Sequence, residues 1–142
     1  MYHTIIIAGN LGRDPEMRYT PSGQPVTSFS VAVNDNYTSS SGERVQRTIW
    51  FRVSVWGKQA EIANQYLKKG SKVLIEGRLV ADASTGSPRL WNRQDGTVGA
   101  SFEVSARTIR FLSSRAETEA LESMADIGDL DSSGEDEEEI PF

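Results

Sequence analysis

Short runs of alternating polar and apolar positions, together with β-branched runs, make strand signals dominate residues 1–112. Tyr2–Gly9 is rich in β-branched residues and ends at Gly9-Asn10-Leu11-Gly12, where two glycines predict a turn or bulge. Pro21-Ser22-Gly23 marks a second turn, between Met17–Thr20 and the alternating stretch Val26–Val33. After the polar loop Ser39-Ser40-Ser41-Gly42, Val45–Trp56 is the longest clean alternation in the chain. One helix is predicted next, over about Gln59–Lys69, with Ile62, Ala63, Tyr66 and Leu67 as its apolar stripe and Gly70 at its end. Val73–Val80 and Ser101–Leu112 are further strands. In the last one Phe102, Val104 and Ala106 share a face while Ile109 and Phe111 fall in the opposite phase, so a bulge is expected near Arg107. Residues 81–100 form a long hairpin connection, with turn chemistry at Ser84-Thr85-Gly86-Ser87-Pro88 and at Asp95-Gly96.

Five strands with a single helix between the third and fourth is the pattern of an OB-fold, an all-β, partly open five-stranded barrel. A small β-sandwich is the alternative, and the lone central helix argues against it. Residues 116–124 have the pattern of a short helix with little to bury, and from Asp126 onward the composition predicts disorder. The chain thus divides into a folded body (1–112), a linker (113–134) and an acidic tip (135–142). At 142 residues the chain is long enough to bury a core without a metal or disulfide staple.

Charge changes this picture more than composition does. The net charge of −5 hides a segregation: residues 1–115 hold all fifteen Lys and Arg against nine acids, for +6. Residues 116–142 hold eleven acids and no base, for −11. A basic body points to a polyanion partner. Cysteine is absent and His3 is the only histidine, which removes thiol chemistry, His metal clusters and Ser/His/Asp triads. The body's acids are scattered, with no metal-dependent nuclease motif, so neither a cofactor nor enzymatic activity is expected. No apolar run approaches a membrane span and the start lacks a signal-peptide layout, so a soluble, cytoplasmic chain with no membrane partner is expected.

The most informative segment is Thr48–Trp56. Ile49, Phe51, Val53 and Val55 share one face, which reads as core. Thr48, Trp50, Arg52, Ser54 and Trp56 share the other. Two indoles flanking a guanidinium suit unstacked bases, each with a π-face and a phosphate; the other reading of this face is a protein interface. Trp91, between Arg89 and Arg93, repeats the arrangement, and Tyr37 is a fourth candidate aromatic. The single helix spends its apolar stripe on the core, which leaves no recognition helix for a duplex groove and favours single strands.

With these residues in view, the chain resembles the bacterial single-stranded DNA-binding protein family. Gly9–Tyr19 resembles the family's opening signature, and Trp50–Lys58 with Ala60-Glu61 and Tyr66–Gly70 its central one. The ending Glu137-Glu138-Glu139-Ile140-Pro141-Phe142 is similar to the family's acidic tip. The resemblance implies a homotetrameric OB-fold, nucleoid-associated, that coats and protects single-stranded DNA. It implies a binding segment of Trp50, Phe51, Arg52, Val53, Ser54, Val55 and Trp56, joined by Trp91, Tyr37, Arg18, Lys58 and Lys69. It also implies that Glu137, Glu138, Glu139, Ile140, Pro141 and Phe142 dock DNA replication, recombination and repair proteins. The residues of the tip fit such a role, because Pro141 stiffens the backbone between two apolar side chains and lowers the entropy lost on docking. The free carboxylate of Phe142 suits a basic pocket. Relative to the family, Phe51 stands where some members carry histidine, residues 81–90 look like an insertion, and the linker is short.

Overall fold

The computed structural model describes residues 1–114 and Ser123. Its elements are β1 (Ile5–Leu11), β2 (Glu16–Tyr19), β3 (Pro25–Thr38), β4 (Arg44–Trp56), α1 (Lys58–Tyr66), β5 (Lys72–Leu79), β6 (Leu90–Asn92), β7 (Val98–Ala100) and β8 (Phe102–Phe111). The strands run in the order β1-β5-β8-β4-β3-β2, and β1 also pairs with β3, closing β1, β5, β8, β4 and β3 into a barrel. This is the expected OB-fold, with α1 between the third and fourth barrel strands. Strand β2 adds an outer edge to β3, and β6 and β7 form a separate two-stranded arm.

Closure depends on close approach of backbones. Leu11 pairs with Val31 and Asn10 with Ala32, and a Cβ on Gly9 would overlap the Ala32 carbonyl oxygen, so glycine lets β1 reach β3. On the other side of the barrel, Glu76 pairs with Thr108 and Gly77 with Ala106. Arg107 is therefore the extra residue of a bulge at the expected place, and it turns both Ala106 and Ile109 toward the core.

The core is aliphatic. Leu11, Val31, Val53, Val55, Val73, Ile75 and Val104 are sealed from solvent, each contributing on the order of 1.5–3 kcal/mol by burial. Helix α1 plugs one end of the barrel, and its geometry corrects the expected stripe. Ala60 and Ala63, followed by Leu67 just beyond the helix, face the core, while Tyr66 is 56% exposed and edge-on to Phe111 at 6.3 Å. The helix lies too close to the barrel for an aromatic ring: the buried Thr27 hydroxyl donates to the Ala60 carbonyl at 2.6 Å. The helix also ends at Tyr66, short of Lys69, because Leu67 is already extended. Its exit is held by the Gly70 N–H donating to the Leu11 carbonyl at 2.8 Å. The linker beyond Ser114, apart from Ser123, and the acidic tip lie outside the described residues. No helix among the described residues is long and apolar enough to cross a membrane.

Candidate nucleic-acid interface

Strand β4 is paired on both sides, antiparallel to β3 and parallel to β8, so its alternation separates two environments cleanly. Phe51, Val53 and Val55 are 9%, 0% and 1% exposed and pack in the barrel core. Their side chains are therefore withdrawn as ligand contacts: strand parity points them away from the outer face, and their part in the segment is to anchor it. Trp50 and Trp56, 38% and 45% exposed, stand on that outer face with Arg52 and Ser54 between them. Six residues of strand put the two indoles about 20 Å apart.

Ladder register fixes what surrounds them. Trp50 lies opposite Ala32, Arg52 opposite Ser30, Ser54 opposite Ser28 and Trp56 opposite Val26. Small residues on β3 thus leave the large side chains of β4 standing above a low floor. Arg18 on β2 pairs with Val26, which aligns Arg18, Val26 and Trp56 in one row. On the other flank Arg52 is in register with Glu103 of β8. Ser28, Ser30 and Ala32 were not singled out from the sequence. Their signal was available, since they occupy the second phase of the Val26–Val33 alternation.

The face carries both signs of charge. A groove of about 200 Å³ beside it is lined by Arg13, Asp14, Glu16, Ser28, Ser30 and Arg52. Among the described residues Arg52 has no hydrogen-bond or ion-pair partner, which leaves its five donors available. Asp14 accepts the Lys69 backbone N–H at 2.8 Å and so brings Lys69 to the groove's rim. Lys58 opens α1 two residues after Trp56 and is exposed. Arg18, Arg52, Lys58 and Lys69 therefore lie on or beside one surface.

The remaining aromatics stand elsewhere. Trp91 sits on the β6–β7 arm opposite Gly99, where a Cβ would come within 2.6 Å of the indole, so glycine makes room for it. The Arg93 guanidinium lies 5.9 Å from the Trp91 ring and donates to the Val98 carbonyl at 2.9 Å. The turn of the arm is held by Asp95, whose carboxyl the Thr97 hydroxyl and backbone N–H keep below its usual range. At the arm's base the Ser84 hydroxyl, then the Ser84 and Thr85 N–H groups, do the same for Asp82. Tyr37 is not part of the Trp50–Trp56 face. Strand parity puts it on the other face of the β3–β4 ribbon, with Asp35 and Arg47. There Arg47 pairs with Asp35 and lies 5.0 Å from the Tyr37 ring. Among the described residues no group of three or more His, Asp or Glu side chains is placed to hold a metal ion.

Comparison with known proteins bears on this surface. The model of the single-strand binding protein family matches residues 2–112. A single-stranded DNA-binding protein of Neisseria meningitidis serogroup B is 40% identical over 113 residues, 80% of this chain and 61% of that protein. The chain thus spans about three fifths of the length of that relative. A single-stranded DNA-binding protein of Wolinella succinogenes is 37% identical over 132 residues, covering 93% of this chain and 77% of that one. Among solved structures, a deletion mutant of the single-stranded DNA binding protein from Thermus aquaticus is similar with a TM-score of 0.61 and 30% identity, over 80% of this chain and 52% of that one. A Plasmodium falciparum single-strand binding protein solved with single-stranded DNA shares the fold, with a TM-score of 0.65 at 23% identity, over 80% of this chain and 97% of that one. With a family match that runs through every barrel strand and ends one residue after β8, the chain belongs to the single-strand binding protein family.

Proposed function

We propose that this chain is a non-enzymatic binder of single-stranded DNA that coats its ligand without reading base sequence. The observation that carries the reading is the outer face of β4: two half-exposed indoles on a doubly paired strand, with an unpartnered guanidinium between them. Bases stack on Trp50 and Trp56, and Arg52 and Arg18 take phosphates on the same face. Lys58 and Lys69 extend the cationic track around the groove, and Ser54 offers a hydroxyl between Arg52 and Trp56. Trp91 stacks from the arm, and Tyr37 serves a strand that passes to the opposite face of the ribbon. The names of the Neisseria and Wolinella relatives support this ligand, as does the DNA held by the Plasmodium neighbour of the same fold. Among the described residues no helix is free to enter a duplex groove, so affinity rests on π-faces and phosphates, which every sequence supplies.

The wider role belongs to the same proposal. The body 1–112 binds DNA and assembles as a homotetramer, for which exposed Ile6, Leu79 and Leu112, lying off the Trp50–Trp56 face, offer apolar surface. Residues 113–134 act as a linker. The tip Glu137–Phe142 docks replication, recombination and repair proteins at the nucleoid, in the cytoplasm. Support for the tip is compositional: the chain's eleven linker and tail acids end in Ile-Pro-Phe, an apolar anchor that simple solubility does not require.

Intrinsic tryptophan fluorescence during titration with oligo-dT, at low and moderate salt, tests the binding. Strong quenching with saturation at low stoichiometry is expected, and the salt dependence should have a slope of about −0.7 per phosphate contacted. No quenching and no binding at either salt would overturn the proposal and make the Trp50–Trp56 face a protein interface.

A further inference from the structure

The β6–β7 arm raises a mechanical question. Its two strands pair with each other and with no barrel strand. A lone two-stranded hairpin is marginal in water, and Trp91 rides on it. The arm needs an anchor if the indole is to be presented at a fixed place. The described interactions supply one side-chain link between the arm's base and the barrel: Arg89 Nε donates to Glu103 Oε2 at 3.1 Å. The Glu103 side chain is 19% exposed and that of Arg89 55%. Glu103 is itself fixed, since its strand is paired on both sides and its carbonyl accepts the Val80 N–H at 2.8 Å.

The position of Glu103 makes the link consequential. It is in ladder register with Arg52, on the face that carries Trp50 and Trp56. An acid beside an unpartnered guanidinium of a polyanion-binding face is electrostatically unfavourable for the ligand. Its presence calls for a compensating role, and the Arg89 contact provides it.

We propose that Glu103 is a positioning residue: it holds Arg89, and through Arg89 the arm, so that Trp91 is presented to the same strand of DNA that crosses Trp50 and Arg52. This deepens the base-stacking reading and rests on it for the ligand. The two readings of Glu103 predict opposite signs. If the carboxylate were only a local negative charge, Glu103→Gln would bind DNA more tightly. If it positions the arm, Glu103→Gln binds more weakly although a negative charge has been removed from the face.

Two measurements test this. In the free protein carrying Trp50→Phe and Trp56→Phe, Trp91 is the sole tryptophan, and time-resolved fluorescence anisotropy reports the arm's local motion without any DNA. Glu103→Gln should raise the amplitude of that motion about twofold. Arg89→Gln, which lies outside the barrel strands, should do the same, and this guards against a folding defect in the β8 variant. The exchanged pair Arg89→Glu with Glu103→Arg should restore the amplitude. In the otherwise unchanged protein, Glu103→Gln should lower oligo-dT affinity by up to about fivefold, the scale of a partly exposed ion pair. Unchanged anisotropy in both single variants, or tighter binding by Glu103→Gln, would overturn the inference. If the unaltered protein binds no oligo-dT, the base-stacking reading fails by itself, and the DNA-free anisotropy still decides whether Glu103 holds the arm.

Discussion

Replacing Trp56 separates stacking from packing. Trp56 is 45% exposed and stands opposite Val26, so roughly half of its surface is already spent on the protein. A fully buried indole covers about 150–250 Å², and half of that at about 25 cal/mol per Å² is about 2–3 kcal/mol, an upper figure because the unfolded chain also hides surface. Trp56→Ala should therefore lower folding stability by about 2 kcal/mol, read from a urea titration. Domains of this size are stable by about 5–15 kcal/mol, so the variant stays folded and its DNA affinity can be measured cleanly. Loss of one stacking platform costs about 1–3 kcal/mol, or about 5- to 150-fold in Kd for an oligo-dT that spans the face. The informative pair is Trp56→Phe and Trp56→Leu. Both keep apolar volume over Val26, but only phenylalanine keeps a π-face. Fluorescence anisotropy of labelled oligo-dT should place Phe within about fivefold of the unaltered protein and Leu close to Ala. Leu binding as well as Phe would refute stacking at this position and leave Trp56 as packing alone.

Other expectations follow from single contacts. Arg52→Met should flatten the salt dependence of oligo-dT binding by about 0.7 in slope, one phosphate contact, and an unchanged slope would remove Arg52 from the track. Gly77→Ala drives a methyl group into the Ser105 carbonyl beside the Arg107 bulge, so its urea midpoint should fall by the equivalent of about 1–3 kcal/mol. An unshifted midpoint would mean the β5–β8 seam has slack enough to admit a methyl group at Gly77. Deleting residues 135–142 removes five of the eleven acids beyond residue 115. Affinity for oligo-dT at low salt should stay equal or rise while pull-down of replication and repair proteins is lost. Loss of DNA binding on this deletion would contradict the division between body and tip.

The barrel was legible wherever one strand separated two environments. Ile49, Phe51, Val53 and Val55 alternate with Trp50, Arg52, Ser54 and Trp56, and both of these faces appear in the fold as read. The bulge at Arg107 was visible as a slip of phase between Ala106 and Ile109, because strand parity has no tolerance for an extra residue. Where local pattern is compatible with several packings, it failed. Tyr66 fits an apolar stripe at helical spacing, yet how close α1 lies to the barrel excludes a ring and selects Ala60 and Ala63. The surroundings of Tyr37 were not legible for a different reason. Asn34-Asp35-Asn36 is poor strand sequence, so the alternation could not be carried past Val33. The continuous pairing with β4 overrides that propensity and delivers Tyr37 to the far face. The Arg89–Glu103 contact had no local signal at all, since it joins an arm to a strand fourteen positions later.

A period of two makes the core and the outer face of β4 one mechanical object. Trp50, Arg52 and Trp56 have neighbours whose side chains pack into the barrel, β3 pairs the backbone along the whole segment, and β8 pairs it at Phe51–Ser54. The backbone that carries Trp50, Arg52 and Trp56 is therefore held before any ligand arrives, and binding need not supply the entropy of arranging it. The arm shows what happens without that support: Trp91 lies on a hairpin with no ladder to the barrel and depends on one ion pair. Truncating a core neighbour tests the coupling. Val53→Ala removes two buried methyl groups and should cost about 1–3 kcal/mol of stability. Because the ladders on both sides survive, oligo-dT affinity should change less than twofold at temperatures well below unfolding. A large loss of affinity in a folded Val53→Ala protein would mean that the face is shaped by core packing rather than by the ladders, and the platform would have to be redrawn from the inside.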